Sequence, residues 1–508
     1  MRPEAYEHRC ATIELVETHI SWVLLTGPYA YKIKKPVDFG FLDFSTLELR
    51  RHYCGEELRL NRRFAESLYV DVVPVTRSNG LARFGGDGEP IEWAVRMRQF
   101  PGEMQLDLRL AAGNLLSGEL AAFGETLARV HATLPQADAA SSFGTAAAAF
   151  GPVHENFQQI RASHFASVRK DVVAALETWS NTKHAELSAL FEARRRDGFV
   201  RECHGDLHLS NLVKLDDGIH AFDCIEFSEP LRWIDLVSDA AFLVMDCCVR
   251  GRADLGYAFL DRYFERSGDY AGGALLDFYL VYRSMVRAKV AALQAQRSDD
   301  ATLLRRFDAH IDFARDRALR SRPAMILMCG LSGSGKSWLA EQLVERVPAI
   351  RIRSDIERKR RAALEPLARS GSQLDQGLYS PQATDALYAQ LGRSADALVD
   401  GGERVIVDAT FLHAARREAF CRDARARGVE CLIVHCVAPR AVLLERITRR
   451  VSANDDPSEA DVDVLDAQLK TYEPPSAADA SVLTVDTSQP IDIESIARRL
   501  RGGVEHAT

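Results

Sequence analysis

The sequence predicts two domains of different class: an α+β first half over residues 1–322 and an α/β second half with a parallel sheet over residues 323–508. Three observations carry that prediction. At 508 residues the chain exceeds what one hydrophobic core supports. Residues 330–337 read Gly-Leu-Ser-Gly-Ser-Gly-Lys-Ser directly after the apolar run 324–329, the strand-then-loop context of a phosphate-binding loop. Before that loop, β-rich runs give way to long helical stretches. After it strand and helix alternate, the pattern of a parallel sheet covered on both faces.

The first half opens with two β-rich runs, 19–26 and 30–35, broken by Gly27-Pro28 and read as a hairpin. Alternation along the second run puts Lys32 and Lys34 on one face. Residues 45–69 carry helical periodicity, with Ser45 and Glu48 spaced as a capping box. That helix places Glu56 and Glu57 where one of them can pair with a strand lysine. Further strands are expected at 69–75 and 91–100, then helices over 106–134 and within 153–196. The arginines that crowd residues 305–322 read as a solvated helix face.

The densest chemistry of this half lies in 199–227, FVRECHGDLHLSNLVKLDDGIHAFDCIEF. Asp206 and Asn211 stand five residues apart on a tight loop, a short hairpin turns at Asp216-Asp217-Gly218, and Asp223 ends its second strand. An acid that orients a hydroxyl, with an amide and a second acid to hold Mg²⁺, is the set that phosphoryl transfer requires.

On the loop from His204 to Asn211 and the following Asp223, residues from about 10 to 320 resemble the aminoglycoside phosphotransferase-like branch of the protein kinase-like superfamily. The resemblance implies a bilobal protein kinase-like fold with ATP bound between a small β-rich lobe and a larger helical one. It implies Asp206 as catalytic base, Asn211 and Asp223 as Mg²⁺ ligands, and Lys32 on the α/β-phosphates with Glu57 as its partner. Lys34 and Glu56 stay open as alternatives for that pair. It places the adenine-receiving hinge near 97–100, and makes His204, Asp235 and Asp239 braces of the loop.

In the second half, Gly330, Gly333, Ser334 and Gly335 form the loop whose backbone N–H groups turn inward around a phosphate, at the positive end of the helix 339–347. Lys336 would neutralise β/γ-phosphate charge and Ser337 would hold Mg²⁺. The strand 350–353 ends in Arg353-Ser354-Asp355, where Asp355 can orient an incoming hydroxyl and Arg353 and Arg358 can hold an anionic substrate. The strand 404–407 ends at Asp408, a further candidate Mg²⁺ residue, and Arg446, Arg449 and Arg450 cluster on 441–451 as a lid closing on phosphates. With these motifs the second half resembles the P-loop small-molecule and polynucleotide kinases, including gluconate kinases, chloramphenicol phosphotransferase and zeta-toxin-like enzymes. The whole chain resembles bacterial fusions of these two kinase-like modules.

Composition bounds the function. Lys+Arg 64 against Asp+Glu 72 leaves a net charge of −8, which argues against a general nucleic-acid-binding surface while leaving a local basic patch open. Ten cysteines without a C-x-x-C read as reduced thiols in a cytoplasm. No run has transmembrane length, so no membrane partner is expected. The expectation is an ATP- and Mg²⁺-dependent phosphotransferase with two nucleotide sites and a small-molecule hydroxyl acceptor. The alternatives are a nucleic-acid end-processing kinase and a nucleotide-binding sensor.

Overall fold

The computed structural model describes residues 2–502 except 41, 79, 164, 166, 297–299, 321, 372–375, 454, 455, 477, 478 and 480. The chain divides into two compact units. The first is residues 1–119, 130–152 and 186–243; the second is residues 120–129, 153–185 and 244–508.

In the first unit, among the described residues, six strands pair antiparallel in the order β1-β2-β3-β6-β4-β5. They are β1 (Glu14–Glu17), β2 (Ser21–Leu25), β3 (Tyr29–Lys34), β4 (Tyr69–Ser78), β5 (Leu81–Phe84) and β6 (Pro90–Arg98). The expected hairpin is β2–β3: Gly27 takes the turn at φ +101°, and the Thr26 hydroxyl donates to the Tyr29 carbonyl at 2.6 Å. The helix Leu47–Ala65 lies on this sheet, packing Cys54 and Ala65 with Tyr69, Val95 and Val213. Its cap is Thr46, whose hydroxyl accepts from Leu49 N at 3.2 Å, and not Ser45 as the capping-box spacing suggested. Ser45 is held one step earlier because its own N–H donates to the Asp43 carboxylate at 2.8 Å. After the helical segments, β7 (Val200–Glu202), the hairpin β8 (Leu212–Leu215) and β9 (Gly218–Ala221), and β10 (Trp233–Asp235) follow, with β10 antiparallel to β7.

In the second unit five strands among the described residues run parallel in the order β12-β13-β11-β14-β15. These are β11 (Ala324–Cys329), β12 (Ala349–Arg353), β13 (Arg404–Asp408), β14 (Glu430–Val437) and β15 (Ser481–Asp486). Every residue of β11 is buried, as a central strand covered by helices on both faces demands. One face packs Ile326, Met328, Ile406 and Val434 against Leu339 and Leu343 of the helix Lys336–Arg346. Because β11 is central, the loop that follows it opens at the carboxyl ends of the strands, where open sheets of this type bind ligands.

Two expectations are corrected in this unit. The helix Ala301–Arg320 is not simply a solvated basic face: Arg317 pairs with Asp277 and Glu403 and donates to the Tyr257 hydroxyl at 3.2 Å. Its charge is drawn inward by two buried carboxylates on neighbouring elements, Asp277 and Glu403. The cysteines are not all reduced either, since Cys421 and Cys431 form a disulfide with Cα atoms 5.1 Å apart. The helix Ala414–Ala426 turning back into β14 brings residues ten apart side by side. No helix among the described residues is long and apolar enough to cross a membrane.

Two candidate active sites

In the first unit β3 carries two lysines to one carboxylate. Lys32 Nζ lies 2.8 Å from Glu57 Oε1 and also donates to Asp223. Lys34 Nζ donates to Glu57 Oε2 at 2.8 Å and to Glu226. Glu57 is the residue that both strand lysines meet, whereas Glu56 turns to Arg59 at 2.7 Å. Burial pushes the Glu57 carboxyl up, but Lys32 and Lys34 outweigh it and hold the group at about 2. Burial likewise disfavours the Lys32 ammonium, yet Asp223 and Glu57 leave it well above the usual lysine range.

Asp223 adopts φ +64°, a left-handed conformation that a residue with a Cβ takes only when its surroundings enforce it. The helix Leu47–Ala65 and β4 supply that enforcement. Asp223 N donates to the Tyr69 hydroxyl at 3.1 Å, and the next residue, Cys224, donates its N–H to Asn61 Oδ1 at 2.9 Å. On the loop between β7 and β8, Asn211 Nδ2 donates to the Asp206 carboxylate and to its carbonyl, both at 3.0 Å. Asp239 accepts from His204 N (3.0 Å) and Gly205 N (2.9 Å), and His204 Nε2 donates to the Phe222 carbonyl at 2.9 Å. Asp235 is occupied by Arg194 at 2.6 and 3.0 Å. At the 97–100 hinge, Gln99 Oε1 accepts from Gly27 N at 2.9 Å.

In the second unit the phosphate loop joins β11 to the helix Lys336–Arg346. A Cβ on Gly330 would meet the Cys436 carbonyl at 2.3 Å and one on Gly333 the Leu443 carbonyl at 2.8 Å, and Gly335 holds φ +81°. The Ser334 hydroxyl is buried with no hydrogen-bond partner, and Lys336 Nζ donates to the Leu331 carbonyl at 2.8 Å. Burial lowers the Lys336 pKa, opposed by Asp408 and Asp355. Ser337 follows at the start of the helix. Arg446 braces the loop through the Gly333 carbonyl (3.2 Å) and Thr487 Oγ1 (2.8 Å). Arg450 donates to the Ala460 carbonyl at 2.6 Å, and Arg449 is exposed. Asp355 stands in the first turn of the helix Ser354–Arg361, while Arg358 donates to the Leu378 carbonyl at 2.6 Å and stacks on Tyr379.

Both sites suit a magnesium nucleotide. Their candidate metal ligands, Asn211 with Asp223 and Ser337 with Asp408, offer hard oxygen donors, which Mg²⁺ takes. The buried Ser334 hydroxyl has no hydrogen-bond partner, and the close approach of the Cys436 and Leu443 carbonyls admits only glycine at 330 and 333, a loop path that turns backbone N–H groups toward a phosphate. Glu226, Asn61 and Tyr69 escaped the sequence reading. For Glu226 the one available signal was a second acid three residues beyond Asp223 in an irregular stretch.

The Phosphotransferase enzyme family matches residues 50–276 and an AAA domain matches residues 325–475. Uncharacterized proteins of Mycobacterium tuberculosis and Mycobacterium bovis are each 33% identical to the chain over 447 residues, 87% of this chain and 87% of theirs. A choline/ethanolamine kinase family protein from Mesorhizobium loti is 13% identical, covering 61% of this chain and 88% of that one at TM-score 0.40. A gluconokinase from Sinorhizobium meliloti is 24% identical, covering 35% of this chain and 90% of that one at TM-score 0.26. The two matched families and the geometry of the sites define an ATP-dependent phosphotransferase, a kinase. The chain belongs to the same family as the mycobacterial proteins, and within this chain a phosphotransferase module precedes a P-loop kinase-like module.

Proposed function

We propose that the chain holds two Mg²⁺·ATP sites, one in each half, and passes the γ-phosphoryl group to hydroxyls of small molecules. The observation that carries this reading is the ion pair of Lys32 with Asp223, residues 191 apart, which gathers a phosphate-binding cation and a metal-binding acid at one spot. At the first site Lys32, held in line by Glu57, turns from Asp223 to the α- and β-phosphates. Asp206, kept in place by the Asn211 amide, orients the acceptor hydroxyl and takes its proton as the oxygen attacks the γ-phosphorus and ADP leaves. At the second site Lys336 meets the β- and γ-phosphates and Asp355 takes the proton. Bound Mg²⁺ would neutralise charge developing between the phosphates at each site. The rest of the catalysis is positioning by these side chains.

The test is transfer of labelled γ-phosphate into pooled sugars, other metabolites, aminoglycosides and oligonucleotides by wild type, Asp206→Ala, Lys336→Ala and the double variant. Loss of an acceptor's label by about 10²–10⁴-fold in one single variant assigns that acceptor to that half. Labelling of oligonucleotide ends in place of small molecules overturns the acceptor class. Undiminished labelling in both single variants and in the double variant overturns the site assignment.

A further inference from the structure

The carboxyl end of β12 is governed by a helix outside the P-loop family match. The helix Ala253–Ser267 lies within residues 50–276, the stretch matched by the Phosphotransferase enzyme family, yet it belongs to the second compact unit. From it Asp261 Oδ1 accepts from Arg351 N at 2.7 Å, and its other oxygen lies 3.6 Å from the Arg351 guanidinium. Glu265 Oε2 lies 3.6 Å from the same guanidinium and 3.9 Å from Arg353 Nη1. Glu265 also pairs with Arg262 on its own helix.

Arg353 therefore stands between two carboxylates at nearly equal distance, Glu265 at 3.9 Å and Asp408 at 4.0 Å. Asp408 is its register partner across β12 and β13. Arg353 is hydrogen-bonded to neither: its Nε and the Glu265 Oε2 are both buried without a hydrogen-bond partner. A guanidinium in that position can close on whichever carboxylate is left to attract it, because a pair near 4 Å in a partly dry site interacts strongly. If it closed on Asp408, it would take the oxygen that the metal of a bound nucleotide needs.

We propose that Glu265 is a positioning residue of the P-loop site, holding Arg353 back from Asp408 and so keeping that carboxylate available to magnesium. The proposal rests on the reading of the phosphate loop as a Mg²⁺-nucleotide site. Asp261 serves the same end by fixing Arg351 through its backbone N–H, which sets the path of β12 two residues before Arg353.

The test is binding of a fluorescent ADP to the full chain in a Lys32→Met background, which removes the phosphate-binding cation of the first site, at stepped Mg²⁺ concentrations and with EDTA. Glu265→Gln is expected to raise the Mg²⁺ needed for half-maximal binding by about tenfold while leaving the Mg²⁺-free affinity within about twofold. Adding Arg353→Gln is expected to abolish that shift, and Arg353→Gln alone to lower the Mg²⁺ requirement. The single arginine variant also decides the matter should Glu265→Gln fail to fold. An unchanged Mg²⁺ requirement in Glu265→Gln, or a raised one in Arg353→Gln, overturns the proposal. Binding that survives Lys336→Ala in this background overturns the underlying reading of the loop instead.

Discussion

Lys34 lies 2.8 Å from Glu57 with neither side chain exposed to solvent. It is bound on its other side by Glu226, so one buried ammonium serves two buried carboxylates. Lys32 differs: it shares Glu57, but its second partner, Asp223, is 46% exposed.

The two lysines should thus separate stability from binding. Lys34→Met strands the buried carboxylate of Glu226, while Glu57 keeps Lys32, and is expected to cost about 3–5 kcal/mol, read from the urea midpoint. Lys32→Met leaves Asp223 to water and Glu57 to Lys34, so its cost is expected to be smaller while nucleotide binding at the first site is lost. Equal destabilisation by the two substitutions would contradict this division.

Glycines of the phosphate loop are constrained by their surroundings. Gly330→Ala drives a Cβ to 2.3 Å from the Cys436 carbonyl, and Gly333→Ala drives one to 2.8 Å from the Leu443 carbonyl. Each is expected to destabilise the second unit by about 1–3 kcal/mol and to weaken nucleotide binding there. Gly118→Ala, in the helix Ser117–Thr133 with nothing within 4 Å of the new Cβ, is the control. It is expected to leave the thermal midpoint unchanged or slightly raised.

Acid should loosen the first unit through two glutamates. Burial raises the Glu202 carboxyl, but Arg59, Arg63 and Arg232 outweigh it and bring it from 4.5 to about 2; Glu57 falls to about 2 through its lysines. Folded pKa values below the unfolded ones mean stability that is complete above pH 4.5 and lost as pH falls toward 2. Each group contributes up to about 3 kcal/mol at neutral pH, offset in part by Glu226, which burial raises. Urea midpoints taken between pH 6 and pH 3 are expected to fall, and Glu202→Gln to flatten part of that slope, in this pH range.

How much of this was legible depends on how far apart in sequence the partners lie. The phosphate loop is contiguous and flanked by its own strand and helix, so both its position and its backbone demands are written locally. The loop from His204 to Asn211 is likewise local. The lysine pair was legible only as far as alternation along β3 goes. Lys32 and Lys34 do share a face, but the choice of Glu57 over Glu56 needed the packing of a helix on a sheet. Asn61, Tyr69 and Glu226 were hidden because their roles depend on contacts that no local spacing encodes. Thr46 displaced Ser45 as the helix cap through a single carboxylate, Asp43, two residues upstream of Ser45. The disulfide was missed because ten scattered cysteines show no framework until a helix and a strand bring two together.

The grouping of residues 244–320 with the P-loop sheet has a consequence for how such a gene can be rearranged. Glu403, at the threshold of β13, takes its charge partner from Arg317, and the β12 residue Arg351 takes its acids from the helix Ala253–Ser267. Gly401 passes so close to Gly273 that an added methyl group would lie 1.9 Å from that residue's carbonyl. A cut at the linker before β11, where recombination would seem simplest, separates each of these pairs. A descendant that exchanged its P-loop module for another would inherit helices carved for a surface it no longer has, and purifying selection would favour lineages that pass the two modules on as one piece.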